Sequence, residues 1–133
     1  MNLQEAKSIL NKLQFDLKRI AQNEAEFDHN YNNPEERFKH NLYRKIAEKS
    51  ADIVSLVEYM DKPIVQEGLL EKREDGRYGI KGSNDYFTSG QPIEIWDKEY
   101  EVYVKTRLEY REDYYAYAFG PNVKLEGLKA RIR

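Results

Sequence analysis

Few side chains in this 133-residue chain stand where they could do covalent or metal chemistry. The two histidines, His29 and His40, are eleven residues apart with Asp28 beside the first, a spacing that fits no metal-ligand pattern and reads as a solvated polar loop. Ser50, Ser55 and Ser89 lack the Gly-x-Ser-x-Gly setting of an activated nucleophile. Gly76, Gly79 and Gly82 are spaced as turn residues, not as a phosphate cradle ahead of a helix. There is no cysteine, so thiol nucleophiles, disulfides and thiolate metal sites are all excluded. Acids are plentiful, but Glu94, Asp97, Glu99, Glu101, Glu109, Glu112 and Asp113 fall on strand exteriors and turns, where carboxylates keep a sheet soluble and block edge pairing. The expectation is a protein that is not an enzyme and that needs neither cofactor nor metal.

Binding chemistry is better represented. Eleven Tyr, five Phe and one Trp make up 13% of the chain, and Trp96, Tyr100, Tyr103, Tyr110, Tyr114, Tyr115, Tyr117 and Phe119 gather in one stretch. If Tyr100, Tyr110 and one face of residues 114–119 line a core, then Tyr103 and some of the others must point outward beside Lys105 and Arg107. Aromatics interleaved with cations either stack bases and hold phosphates or form protein-binding hot spots. Each cation in that strand has an acidic neighbour, net charge is −2 and the isoelectric point is near 5.8, so a protein partner is favoured over nucleic acid. The candidate anchors are Trp96, Tyr103, Tyr115 and Tyr117, joined by the acidic loop residues Glu24, Glu26 and Asp28. The nucleic-acid alternative would use Lys105, Arg107 and the C-terminal stripe Lys129, Arg131 and Arg133.

The elements that must carry these residues follow from two different periods. Leu3, Ala6, Leu10, Leu13, Leu17 and Ile20 recur in steps of three and four, a helix seam with Asn2 and Glu5 placed as a capping box. The polar stretch from Glu24 to Asn33 reads as a loop anchored by Phe27. Asn33-Pro34-Glu35-Glu36 starts a second helix, with an expected buried stripe of Phe38, Leu42, Ile46, Ile53, Val57 and Met60, helped by Ala47, Val54 and Leu56, and Asp61-Lys62-Pro63 ends it. Two such helices bury too little to be stable alone, so the pair must pack on something else or on another copy, and the Leu3 to Ile20 seam makes a dimer possible.

After Pro63 the period becomes two. Tyr100, Val102, Val104, Thr106, Leu108 and Tyr110 form one face of a strand, with Glu101, Tyr103, Lys105, Arg107 and Glu109 on the other. Further strands are expected at 68–73, 77–80, 92–96, 114–119 and 128–132, the first two joined by an Asp75-Gly76 hairpin turn with positive φ at both residues. The fold class is therefore α+β: an antiparallel helical hairpin over residues 1–61, then a small SH3-like β-barrel or curved antiparallel sheet over 62–133. The N-terminus has no basic, apolar leader and no apolar run approaches the ~20 residues of a membrane span, so a cytoplasmic location away from membranes is expected.

Three segments, Gly68-Leu69-Leu70-Glu71-Lys72-Arg73-Glu74-Asp75-Gly76-Arg77-Tyr78, Phe87-Thr88-Ser89-Gly90-Gln91-Pro92-Ile93-Glu94-Ile95-Trp96 and Arg107-Leu108-Glu109-Tyr110, give the second half a resemblance to a family. It resembles a short uncharacterised domain encoded on plasmids, conjugative elements and prophages of Firmicutes. The resembling residues are those of turns and strands, so no site carries over. The resemblance implies a mobile-element setting, in which small acidic proteins act as inhibitors of host defence. It makes an anti-CRISPR-type inhibitor, with a Cas9-type effector nuclease as the host partner, the specific expectation.

Overall fold

Asn2 and Asn33 start the two helices. The Asn2 side chain accepts from the Glu5 amide at 2.8 Å while the Glu5 carboxylate accepts from the Asn2 amide at 2.9 Å, which opens α1, Leu3–Gln22. Asn33 accepts from the amides of Glu35 and Glu36 and opens α2, Pro34–Asp61. The computed structural model describes residues 1–23 and 27–133, in two compact units, Met1–Lys62 and Pro63–Arg133. Lys7 pairs with Asp61 and Lys18 with Glu58, each at 3.0 Å, so α1 and α2 form an antiparallel hairpin. Among the described residues no helix is long and apolar enough to cross a membrane.

The contact line in this hairpin is narrower than the apolar arc. Within α2 only Ala47, Ser50 and Val57 are buried, and within α1 no residue is. Phe38, Leu42, Ile46, Ile53 and Met60, expected in the core, are exposed. A two-helix pair covers one seam per helix, and here the small Ala47 and Ser50 let the backbones approach, so the seam runs one residue beyond the bulkier stripe. Ser50 satisfies its hydroxyl by donating to the Ile46 carbonyl at 2.9 Å.

The second unit is a curled, six-stranded antiparallel sheet, a half-barrel. Its strands are β1 Gln66–Lys72, β2 Tyr78–Ile80, β3 Pro92–Asp97, β4 Val102–Arg111, β5 Asp113–Ala116 and β6 Lys129–Ile132, in the order β2-β1-β6-β3-β4-β5. The sixth strand is inserted between the first and the third. Leu70, Ile93, Ile95, Leu108 and Leu125 fill the concave side with Tyr78, Ile80, Phe87, Ala116 and Ala130. The alternation in β4 holds at its centre, where Thr106 and Leu108 are buried, but fails at the ends. Val102 and Tyr110 are exposed, because a ten-residue strand overshoots the curved layer beneath it, and Tyr100 is exposed because it precedes the strand, in the turn after β3. Tyr110 instead rests edge-on against Tyr114, 5.0 Å away. The Asp75-Gly76 turn also differs from expectation. Arg73 and Arg77 close a longer loop (Arg73 N to Arg77 O, 2.7 Å), so only Gly76 needs a positive φ, +86°.

Candidate functional site

Parity assembles the candidate residues. In β3 the buried Ile93 and Ile95 point inward, so Glu94 and Trp96 point outward. Trp96 pairs with Tyr103 across the β3–β4 ladder, and Glu94 pairs with Lys105 there and with Arg131 across the β3–β6 ladder. The remaining odd positions of β4, Arg107, Glu109 and Arg111, the odd positions of β6, and Tyr115 and Tyr117 fall on this same convex face. Both rival sets from the sequence, the aromatic anchors and the basic residues, therefore share one surface. Of the acidic loop, Glu24 and Glu26 lie outside the described residues, and Asp28 is an exposed residue of the helical unit.

Rings and charges on this face are already engaged with one another. The Arg131 guanidinium lies over the Tyr103 ring at 3.8 Å, Lys129 sits over both Trp96 and Tyr103, and those two rings meet edge-on at 5.1 Å. Farther along, Arg107 lies over Tyr117 at 4.0 Å and donates to Glu109 at 2.6 Å. Beneath them Glu94 is only 4% exposed and accepts from Arg131 at 2.8 Å and Arg133 at 2.7 Å. Its role differs from the solubilising one that its strand-exterior position suggests. It is a buried counter-ion that holds two arginines flat against the sheet. Glu67 does similar work at the rim, accepting from the Tyr103 hydroxyl at 2.6 Å with Lys129 3.8 Å away.

Sequence reasoning missed Glu67 and Glu94 as organisers of this surface. The signal was the shared outward parity of Glu94 and Arg131, readable only once β6 is known to lie beside β3. Tyr115 belongs to the face as a half-buried ring opposite Glu109, while Tyr117 is the open one, 59% exposed.

Desolvation, then the hydrogen bond to the Glu67 carboxylate, pushes the Tyr103 phenol up to about 12. Tyr78, at the far end of the sheet, is also pushed up to about 12, by burial first and then by the charge of Asp113, to which its hydroxyl donates at 3.3 Å. Burial works to raise the Asp113 carboxyl, but the Tyr114 amide, Lys72 and the Tyr78 hydroxyl outweigh it and hold it below its ordinary value. A phenol whose folded value exceeds its unfolded value, about 10, stabilises the fold fully below pH 10 and loses that contribution between pH 10 and 12. Urea unfolding at a series of alkaline pH values should show stability falling through this window, and Tyr103→Phe should flatten the fall. An identical alkaline slope in Tyr103→Phe would refute the assignment.

In the helical unit the His29 and His40 rings stack at 3.9 Å, beside a hollow of about 210 Å³ lined also by Phe27, Asp28, Glu36, Lys39 and Tyr43. Among the described residues no three His, Cys, Asp or Glu side chains converge as metal ligands.

Residues 67–132, from β1 to β6, match the family model of a domain of unknown function, DUF5348. The match falls on the half of the chain that carries the resemblance to an uncharacterised domain. No curated protein and no solved structure matches the chain.

Proposed function

We propose that this protein is a non-enzymatic binding protein that grips another protein with the convex face of its sheet. The observation that supports this reading is the prebuilt array of Trp96, Tyr103 and Tyr117 held under Lys129, Arg131 and Arg107. Rings and guanidinium groups fixed before contact give up little side-chain entropy on binding, and Trp, Tyr and Arg dominate interface energetics. A phosphate would have to compete with Glu94 and Glu109 for the same guanidinium groups, which favours a protein over nucleic acid. The resemblance of this half to mobile-element domains narrows the partner to a host defence nuclease. A Cas9-type effector, met in the cytoplasm and inhibited in the manner of an anti-CRISPR protein, is the first to test.

Purified Cas9 with guide RNA should bind the protein and lose DNA cleavage in its presence. Tyr117→Ala, at an exposed ring, should weaken that binding at least tenfold with an unchanged circular dichroism spectrum. Unaltered affinity in the folded variant would remove the convex face from the reading. Affinity for plain nucleic acid that falls steeply with salt, without a protein partner, would replace it with the nucleic-acid alternative through Lys105, Arg107, Lys129, Arg131 and Arg133.

A further inference from the structure

The hairpin has two unlike sides. An α-helix turns about 100° per residue, so in an antiparallel pair the positions just before each contact position point to one side and those just after point to the other. The positions after are polar, Lys7 and Lys18 on α1 and Glu48 and Glu58 on α2, and Lys18 and Glu58 close that side with their ion pair. The positions before are Ile9, Leu13 and Ile20 on α1 and Ile46, Ile53 and Leu56 on α2, each 38–52% exposed. A broad apolar face therefore lies open along the length of the hairpin.

We propose that this face is the interface of a homodimer, in which a second copy lays its own hairpin on the first to complete a four-helix bundle. Size is the first argument. With Leu42 and Met60 extending the patch, each copy offers roughly 700 Å² of exposed apolar side chain, close to the ~800 Å² that one partner gives to a standard stable interface. Charge is the second. Asp16 and Lys49 also occupy positions just before the seam; counted from the Lys7–Asp61 pair they are nine and twelve residues along their helices, within about one helical turn of the same level. A two-fold axis running along the hairpin places α1 of each copy on α2 of the other. Asp16 of each copy then faces Lys49 of the other, so the face is complementary to itself. A purely apolar partner would strand Lys49 and leave Asp16 only Arg19 of its own helix, 3.8 Å away, whereas a second copy supplies a counter-ion to each.

Sedimentation equilibrium of the full chain should report twice the 15.8 kDa monomer mass. Asp16→Lys and Lys49→Asp, each made alone, should weaken the dimer at least tenfold with helicity intact. Mixing the two variants should restore association as a heterodimer, since every cross-pair is then of opposite sign. A wild-type monomer at about 100 µM, the outcome if the β unit or nothing covers the face, overturns the proposal. So does a dimer indifferent to both reversals, or a mixture that stays monomeric.

Discussion

Replacing Glu94 with alanine should destabilise the β unit by about 3 kcal/mol, the scale expected when one partner of a buried ion pair is removed and the other is left uncompensated. Glu94 is the carboxylate shared by Arg131 and Arg133, whose side chains are themselves only about a fifth exposed. Without the carboxylate two guanidinium groups face each other on a largely dry patch. They must either stay there without that carboxylate or swing into water, and the second course withdraws Arg131 from the Tyr103 ring. In a domain of this size the loss corresponds to a fall in Tm of roughly 12–24 °C. Glu94→Gln keeps an acceptor and the shape, and should fall between wild type and alanine. Thermal unfolding of the three proteins checks the order, and a Glu94→Ala protein as stable as wild type would mean that the arginines are hydrated in place.

The second large effect is expected at Gly79, in the middle of β2. A methyl group there would collide with the Arg73 guanidinium and lie 2.5 Å from the Asp85 carbonyl oxygen. Neither can easily retreat. Arg73 donates to the carbonyls of Ser83 at 2.6 Å and of Ile80 and Asp85 at 3.3 Å, and so pins the loop after β2 to the β1–β2 turn. Gly79→Ala should therefore cost about 3 kcal/mol, at the upper end of overpacking effects, because it disturbs backbone and buried polar groups together. Gly68→Ala is the control. Its nearest obstacle is the Ile80 side chain at 2.7 Å, which can turn aside, so the cost should be about 1 kcal/mol. Urea midpoints for the two variants measure the contrast, and equal losses would show that the Arg73 cluster yields as readily as a methyl group.

What was legible in the chain was whatever is decided by neighbours in sequence. The caps at Asn2 and Asn33 act within three residues, and both helices begin where those caps place them. Alternation in Pro92–Asp97 and Val102–Arg111 sorted side chains onto two faces, and the sheet keeps that sorting at its centre. Alternation says which way a side chain points but not how much lies beneath it. Tyr110 therefore reads as core although it extends past it, and Tyr100 although it lies in the turn before the strand. The apolar arc of α2 likewise shows that one side is sticky, but which residues touch α1 depends on how closely two backbones approach. Glu94 was least legible. Its burial depends on two arginines nearly forty residues away in sequence, and on a strand order that places them beside it.

That strand order also governs how the unit is made. β6, the last of the six strands to leave the ribosome, is the one that joins β1 and β2 to β3, β4 and β5. Without it the sheet is two fragments, the β1–β2 hairpin and the β3–β4–β5 meander, with the facing edges of β1 and β3 both unpaired. Those edges are templates for the wrong strand as much as for the right one. Closing the sheet is therefore a long-range step, since β6 must find β1 about sixty residues back in the chain, and it is the step on which protection of both edges depends.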